Sequence, residues 1–328
     1  MKRKVGVLAI LIVVAIGLLC IIMAAKKEPS KEEIIANLQS KITKSQDENQ
    51  KISLENLRKI LSSYELITSK NLDDEDVILG VKTNQEELIL LSEIVDIKSL
   101  DMEITDKSYI AGGLLIFYDA INNTGNGHSD TTNIWKNLAL VDEYDGTLLE
   151  FDAGWNDKSL SFDGTDSYVN THLMQGKKLG NNFTIMSTAS MNEAVKFRAV
   201  GGGHGITPGV VFGQWQPSGL SFGIYNLGIL VSFPFGEVEL GENYGMAMTI
   251  SEGATVSAYL GSSGNKREGT VKYFDNLSDE VLKVGWAFPL RSDGERYHQG
   301  TVSSFLVYDR ALSEMELDWN LKVETARY

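Results

Sequence analysis

Hydrophobic and polar positions follow different periods in successive parts of this chain, and the changes of period divide it. Residues 5–24 are twenty uncharged, almost wholly apolar positions, and at 1.5 Å per residue such a run is long enough for a helix to cross a bilayer core. From Ser30 the apolar positions Ile34, Ile35, Leu38 and Ile42 recur at helical spacing behind a Ser30 and Glu33 capping box. A second helical run places Leu54, Leu57, Ile60 and Leu61 on one face. After the acidic run 73–76, read as a solvated loop, the β-type stretch 77–83 is followed by a polar turn and the apolar segment 88–97.

Beyond residue 104 the period shortens to about two. Short β-type runs separated by Gly, Asn, Asp and Ser turns fall at 113–121, 159–162, 167–171, 182–190, 209–215, 219–225, 228–233, 244–250, 255–260, 269–274, 281–288 and 300–309. A dozen strands with no long helix among them predict a mainly β, two-sheet jelly-roll sandwich. Within it, 159–171 reads as a hairpin around the turn residues Asp163, Gly164, Thr165 and Asp166, with Leu160, Phe162 and one of Tyr168 or Val169 facing inward. The last element differs. A capping box of Ser313 and Glu316 opens a short closing helix with Met315, Leu317 and Leu321 as its packing residues.

Charge gives the first segment an orientation. Lys2, Arg3 and Lys4 precede the apolar run, which keeps the amino terminus in the cytoplasm and sends the rest outside. The run exceeds a signal-peptide core in length, and cleavage after Ala24 or Ala25 would place Ile22 or Met23 at the −3 position, so an uncleaved single-pass anchor is expected. Cys20, the one cysteine, lies inside this run, which leaves no intramolecular disulfide for the folded part. The organisation expected is an anchor at 1–25, a helical stalk and small α+β module at 26–103, and the jelly roll at 104–328.

Composition narrows the partners. Of the formal net charge of −14, residues 1–100 contribute −1 and residues 101–328 the remaining −13. A domain so poor in Lys and Arg excludes nucleic acid as a partner, since phosphate affinity comes from cations that release counterions.

Four segments carry a family resemblance: FDGTDSYV at 162–169, FTIMSTASM at 183–191, VSAYLGSSGNKREGTV at 256–271 and GTVSSFLVYDRALSEMELDWN at 300–320. Together they resemble the laminin-G-like, concanavalin A-like lectin/glucanase superfamily, in particular its bacterial surface and phage-tail branch. YDAINNTGNGHSDTTNIWKNLA at 118–139 and DGTL at 145–148 stand upstream of the FDG segment, as they do in that branch. The resemblance covers roughly residues 110–325. It implies a jelly roll, and a cell-surface adhesion or recognition role toward a glycan or a surface protein, on a fold that also hosts enzymes.

Each candidate chemistry has a competing structural explanation. Glu237, Glu239 and Glu242 have a superficial likeness to the paired-carboxylate strand of the superfamily's glucanases, where alternate residues set an acid/base and a nucleophile about 5 Å apart. Glu239 stands where the glucanases have Asp, and no Trp precedes the segment. A glycoside hydrolase using Glu237 and Glu242 is therefore the alternative to a binding protein, and a pilus-like or coat component is a third. His128, His172, His204 and His298 lack zinc spacing, and His128 is read as a turn or packing residue. Gly201-Gly202-Gly203-His204-Gly205 reads as a flexible loop, lacking the Lys-Ser/Thr of a phosphate loop. Calcium is the candidate metal, suggested by the resemblance, with Asp119, Asn122, Asn123, Asp163 and Asp166 as oxygen donors. Asp163 has a competing duty, accepting from the amides of its own turn. Sugar binding needs aromatic faces with polar groups beside them. Trp135 and Trp155 read as packing residues and Trp319 as part of the closing helix, which leaves Trp215, Tyr225, Trp286 and Tyr297 as the candidate platform.

Overall fold

The computed structural model describes residues 65–74, 76–82, 88–90, 104–141, 143–151, 154–194, 198–203, 209–216, 219–226, 229–236, 238–251, 255–271, 277–286 and 297–328. The expected anchor at 5–24 and the helical runs at 30–42 and 53–61 lie outside them. Among the described residues no helix is long and apolar enough to cross a membrane. The described residues fall into two compact units, one drawn from residues up to Ile110 together with Asp318–Ala326, the other from Ala111–Leu317 with Arg327–Tyr328.

In the first unit, β1 (Glu65–Lys70), β2 (Asp76–Lys82) and β3 (Leu88–Leu90) form an antiparallel sheet in that order. Asp73 and Asp74 are exposed in the β1–β2 connection, and Asp76 already pairs with Lys70. Polar contacts hold the rest of the unit: the Tyr109 hydroxyl donates to Glu324 at 2.7 Å, the Ile110 amide to Asn320 at 3.1 Å, and the Trp319 indole to the Ser108 carbonyl at 2.8 Å.

The second unit is a two-sheet antiparallel sandwich. Its strands are β4 (Leu114–Asp119), β5 (Ile134–Trp135), β6 (Gly146–Leu149), β7 (Trp155–Asn156), β8 (Ser159–Asp163), β9 (Tyr168–Met174), β10 (Phe183–Met191), β11 (Ala199–Gly203), β12 (Gly209–Gln216), β13 (Gly219–Asn226), β14 (Ile229–Pro234), β15 (Tyr244–Ser251), β16 (Thr255–Leu260), β17 (Ser262–Thr270), β18 (Val281–Val284) and β19 (Gln299–Tyr308). A four-residue helix, α1 (Gln175–Lys178), follows β9, and α2 (Glu314–Arg327) closes the chain. The first sheet runs β17-β16-β15-β10-β19-β8-β7, with β4 pairing along β19 beyond β8; the second runs β14-β13-β12-β11-β18-β9-β6-β5. Alternation puts the apolar members of both sheets into one core, including Leu160, Phe162 and Phe305 from the first and Val169, Phe212 and Val284 from the second. Phe212 meets Phe305 edge to face across the gap at 6.1 Å.

Four sequence expectations need correction. Residues 159–171 are not a hairpin: β8 pairs with β19 and β7, and β9 pairs with β18 and β6, so the FDG turn carries the chain from one sheet to the other. Asp163 decides this, its Oδ1 accepting from the Thr165 amide at 2.8 Å and the Ser167 hydroxyl at 2.8 Å, which folds the turn on itself instead of joining two strands. Gly201, Gly202 and Gly203 are not a loop but buried β11, in mid-sheet. A Cβ on Gly201 would lie 2.9 Å from the Phe305 ring, and one on Gly203 would lie 2.0 Å from Gln175 Nε2, so close approach demands glycine where strand propensity opposes it. The strand expected at 269–274 is β17, set upstream on SSGNKREGT. It is a sheet edge of mostly exposed residues, so it carries no apolar alternation to read. The strand expected at 281–288 ends at Val284, where Gly285 turns out of the ladder at φ 82°.

The closing helix has its expected cap. The Ser313 amide donates to Glu316 at 3.0 Å and the Glu316 amide returns to Ser313 Oγ at 3.3 Å. Met315, Leu317 and Leu321 are all buried.

Candidate functional site

The site grows out of the end of β18. In VLKV, Leu282 and Val284 are buried in the core while Lys283 points away from it. On β9 the buried positions are Val169, Thr171 and Leu173, so Tyr168, Asn170 and His172 share the face of Lys283. Lys283 pairs directly with Asn170. Gly285 then makes the decisive bend. A Cβ there would fall 2.2 Å from the Phe162 ring, and φ 82° is itself a conformation that glycine adopts without strain. The bend is pinned on both sides: the Gly285 amide donates to the Val200 carbonyl and the His298 amide donates to the Gly285 carbonyl, each at 2.7 Å. Trp286 is thereby brought into an antiparallel bridge with Tyr297.

The outcome is a cluster of three aromatic rings, two of which hold one ammonium. Tyr168 lies 6.5 Å from Trp286 and 6.3 Å from Tyr297 by ring centroids, tilted by 38° and 32°. Lys283 Nζ stands 3.7 Å above the Trp286 ring and 5.3 Å from that of Tyr168. Partial burial among these rings pushes the Lys283 ammonium below its ordinary pKa, against the opposing field of Glu280. Among the described residues Lys283 makes no ion pair and no hydrogen bond, and the Tyr168 hydroxyl and the Asn170 amide nitrogen likewise meet no partner. Asn170 Oδ1 is taken by the His172 amide at 3.0 Å, and Thr147 and His172 share a hydrogen bond of 2.9 Å farther along the same face. Apolar rings flanked by unengaged donors suit a ligand with hydroxyl or anionic oxygens.

Of the four aromatic residues expected as a platform, Trp286 and Tyr297 come together, and among the described residues Trp215 makes no ring contact with either. Trp215 pairs with Leu220 and packs half-buried against the core. Tyr225 stands opposite Gly209, five positions along β13 from Leu220, about 17 Å at strand rise; its side chain lies outside the described residues. Sequence reasoning missed Tyr168, Asn170 and Lys283. The available signal was Lys283 itself, a cation between two core residues of an apolar strand and three positions before Trp286. Trp135 is fully buried, stacked on Tyr118 at 5.3 Å, and Trp155 meets its edge at 5.1 Å.

Several of the acidic and histidine candidates have structural partners. Around Asp163, burial alone would raise the carboxyl, but hydrogen bonds from Thr165, Ser167 and Asp166 outweigh it and hold the group below the usual carboxylate range. Asp163 and Asp166 line a polar cleft of about 440 Å³ with Glu150, Ser161 and Ser167. Asp119 accepts from Arg327 and, at 2.6 Å, from the Tyr328 hydroxyl. Asn122 accepts from the Gly127 amide at 2.7 Å, and Asn123 both accepts from and donates to Ser129 at 2.8 Å. Asp119 is taken by an arginine and Asp163, Asn122 and Asn123 by backbone amides, and among the described residues no three metal-ligating side chains cluster. Glu237 lies outside the described residues, and Glu242 is exposed beside the turn at Gly241. His128 is the packing residue expected, bonded to the Ala120 carbonyl at 2.7 Å and to Asp130 at 2.8 Å. His298 is fully buried against Phe162, and burial lowers its pKa to about 4. His204 lies outside the described residues.

No family model and no curated protein matches the chain. Among solved structures it is similar to domain 4 of AbnA, a GH43 extracellular arabinanase from Geobacillus stearothermophilus in complex with arabinotriose, at 15% identity and a TM-score of 0.46, covering 65% of this chain and 99% of that one. It is also similar to Trypanosoma rangeli sialidase in complex with sialic acid, at 16% identity and a TM-score of 0.46, covering 65% of this chain but only 33% of that one. A heptameric SAP-like pentraxin from Limulus polyphemus shares 16% identity at a TM-score of 0.37, over 48% of this chain and 78% of the other. The class that the fold itself defines is a two-sheet antiparallel β-sandwich.

Proposed function

We propose that the sandwich is a laminin-G-like jelly roll that binds carbohydrate without transforming it, on a protein held at the cell surface by the apolar segment 5–24. The carrying observation is the gathering of Trp286 and Tyr297 about Tyr168, with Lys283 held against Trp286 and Tyr168 on the outward face of the second sheet and donors beside the rings that have no partner among the described residues. Aromatic faces take the C–H surface of a pyranose and the donors fix its oxygens. The family-like segments in 118–191 and 256–320 support the jelly-roll assignment, and the basic residues before position 5 support an outward-facing domain. The test is a glycan array probed with the full chain in detergent solution, beside Trp286→Ala. The expected result is binding to a defined set of glycans that Trp286→Ala abolishes while its melting curve is kept. Equal binding by both proteins overturns the platform. Binding to no glycan, with capture of a cell-surface protein instead, overturns sugar recognition.

A further inference from the structure

The register carries more than the class of ligand. Strand pairing sets Thr147, Asn170, Lys283, Gly202 and Val211 side by side across five strands, from β6 to β12. No carboxylate stands in this row, although the chain carries a net charge of −14. Lys283 is thus a half-buried cation with three donor hydrogens, held against Trp286 and Tyr168, reached by Glu280 through its field alone, and next to an Asn170 amide that also has no acceptor among the described residues. Contact with rings compensates part of the water that the ammonium has lost. It offers no lone pair to the ammonium hydrogens. A neutral sugar would supply hydroxyl oxygens only, whereas an anionic one supplies a charged acceptor where water is partly excluded, the setting in which charge-assisted hydrogen bonds are strongest.

Resting on the carbohydrate reading above, we infer that the ligand is an acidic glycan, one of whose sugars places a carboxylate or sulfate on Lys283 while its ring lies against Tyr168 and Trp286. Lysine presents a point charge without the planar fork of arginine, so it accepts either anion. The acidity of the surrounding domain opposes anionic polymers only at long range, and at physiological salt that repulsion fades beyond about 8 Å. Selectivity then belongs to the contact at Lys283.

The experiment compares ligands before it compares proteins. The full chain in detergent is titrated with oligogalacturonate, with its methyl ester, which keeps the sugar rings and removes the charge, with oligosialic acid and its methyl ester, and with a sulfated and an unsulfated galactan oligosaccharide. At least one acidic form is expected to bind at least tenfold more tightly than its neutral counterpart, with the preference reduced by added salt. The acid that binds separates the carboxylate source from the sulfate. Lys283→Gln, with its melting curve kept, should bind acidic and neutral forms alike, and Lys283→Arg should restore the preference. Acidic and neutral forms bound alike by the native chain overturn the inference and leave the carbohydrate reading standing. A preference that survives Lys283→Gln in a folded protein also overturns it, and absence of binding to every sugar removes both readings together.

Discussion

Two polar regions of the sandwich, the FDG corner and the aromatic platform, differ in what their polar groups do. At the FDG corner the Asp163 carboxylate is engaged by the turn itself: it takes the Thr165 amide and the Ser167 hydroxyl, and the Asp163 amide donates back to Ser167 at 3.1 Å. At the platform, Lys283, the Tyr168 hydroxyl and the Asn170 amide nitrogen have no partner among the described residues. A carboxylate surrounded by donors reads as a tempting ligand until its acceptors are counted. Residues that a fold has left unsatisfied beside apolar rings are the better pointer to a binding surface.

Several measurements would break or sharpen that contrast. Gly285→Ala joins the two regions in one substitution, driving a methyl into the Phe162 ring at 2.2 Å and imposing a left-handed backbone on alanine. It should destabilise the sandwich by about 3 kcal/mol and displace Trp286, seen as a lower denaturation midpoint with loss of glycan binding. Retained stability would mean that the bend is not the hinge between corner and platform.

Protonation gives an effect of similar size. His298 has its folded pKa near 4, below the ordinary 6.5, so the unfolded chain binds the proton more readily and stability rises with pH. Its contribution should be complete above pH 6.5 and fall by at most about 3 kcal/mol as the pH drops toward 4, with no further loss from this group below that. Urea titrations of the native chain and His298→Gln across that window check it. The Gln variant should lose the slope. A slope left unchanged assigns the acid lability elsewhere.

Asp163→Ala is expected to cost less, about 1 kcal/mol, because the turn amides are exposed enough for water to replace the carboxylate. Its melting temperature should fall modestly and its glycan binding should match the native chain. Loss of binding with unchanged stability would place the ligand at the corner cleft.

How far the sequence led follows from what each residue type encodes. Central strands rich in β-branched and aromatic residues, such as FTIMSTASM and VSSFLVY, appear where composition and flanking turns place them, and the Ser313 and Glu316 box marks the start of α2. Gly201 to Gly203 were opaque because a strand without side chains is chosen by its neighbours, Phe305 and Gln175, which lie far off in the chain. The β17 strand was displaced because an edge exposed on both faces has no apolar period. At the site, aromaticity pointed to Trp286 and Tyr297. The choice between Tyr168 and Val169 as the inward residue could not be made locally, since the turn joins two sheets and each sheet sets its own facing. Val169 is the buried one, and that frees Tyr168 for the platform.

The central claim is that the ring cluster around Lys283 is the binding surface and that the acidic corner is scaffold. Binding of the full chain to an immobilised glycan, measured side by side for Trp286→Ala and Asp163→Ala, tests it most directly. The account predicts at least a tenfold loss of affinity for Trp286→Ala with its fold intact, and native affinity for Asp163→Ala. The reverse pattern, with binding lost at Asp163 and kept at Trp286, would contradict it.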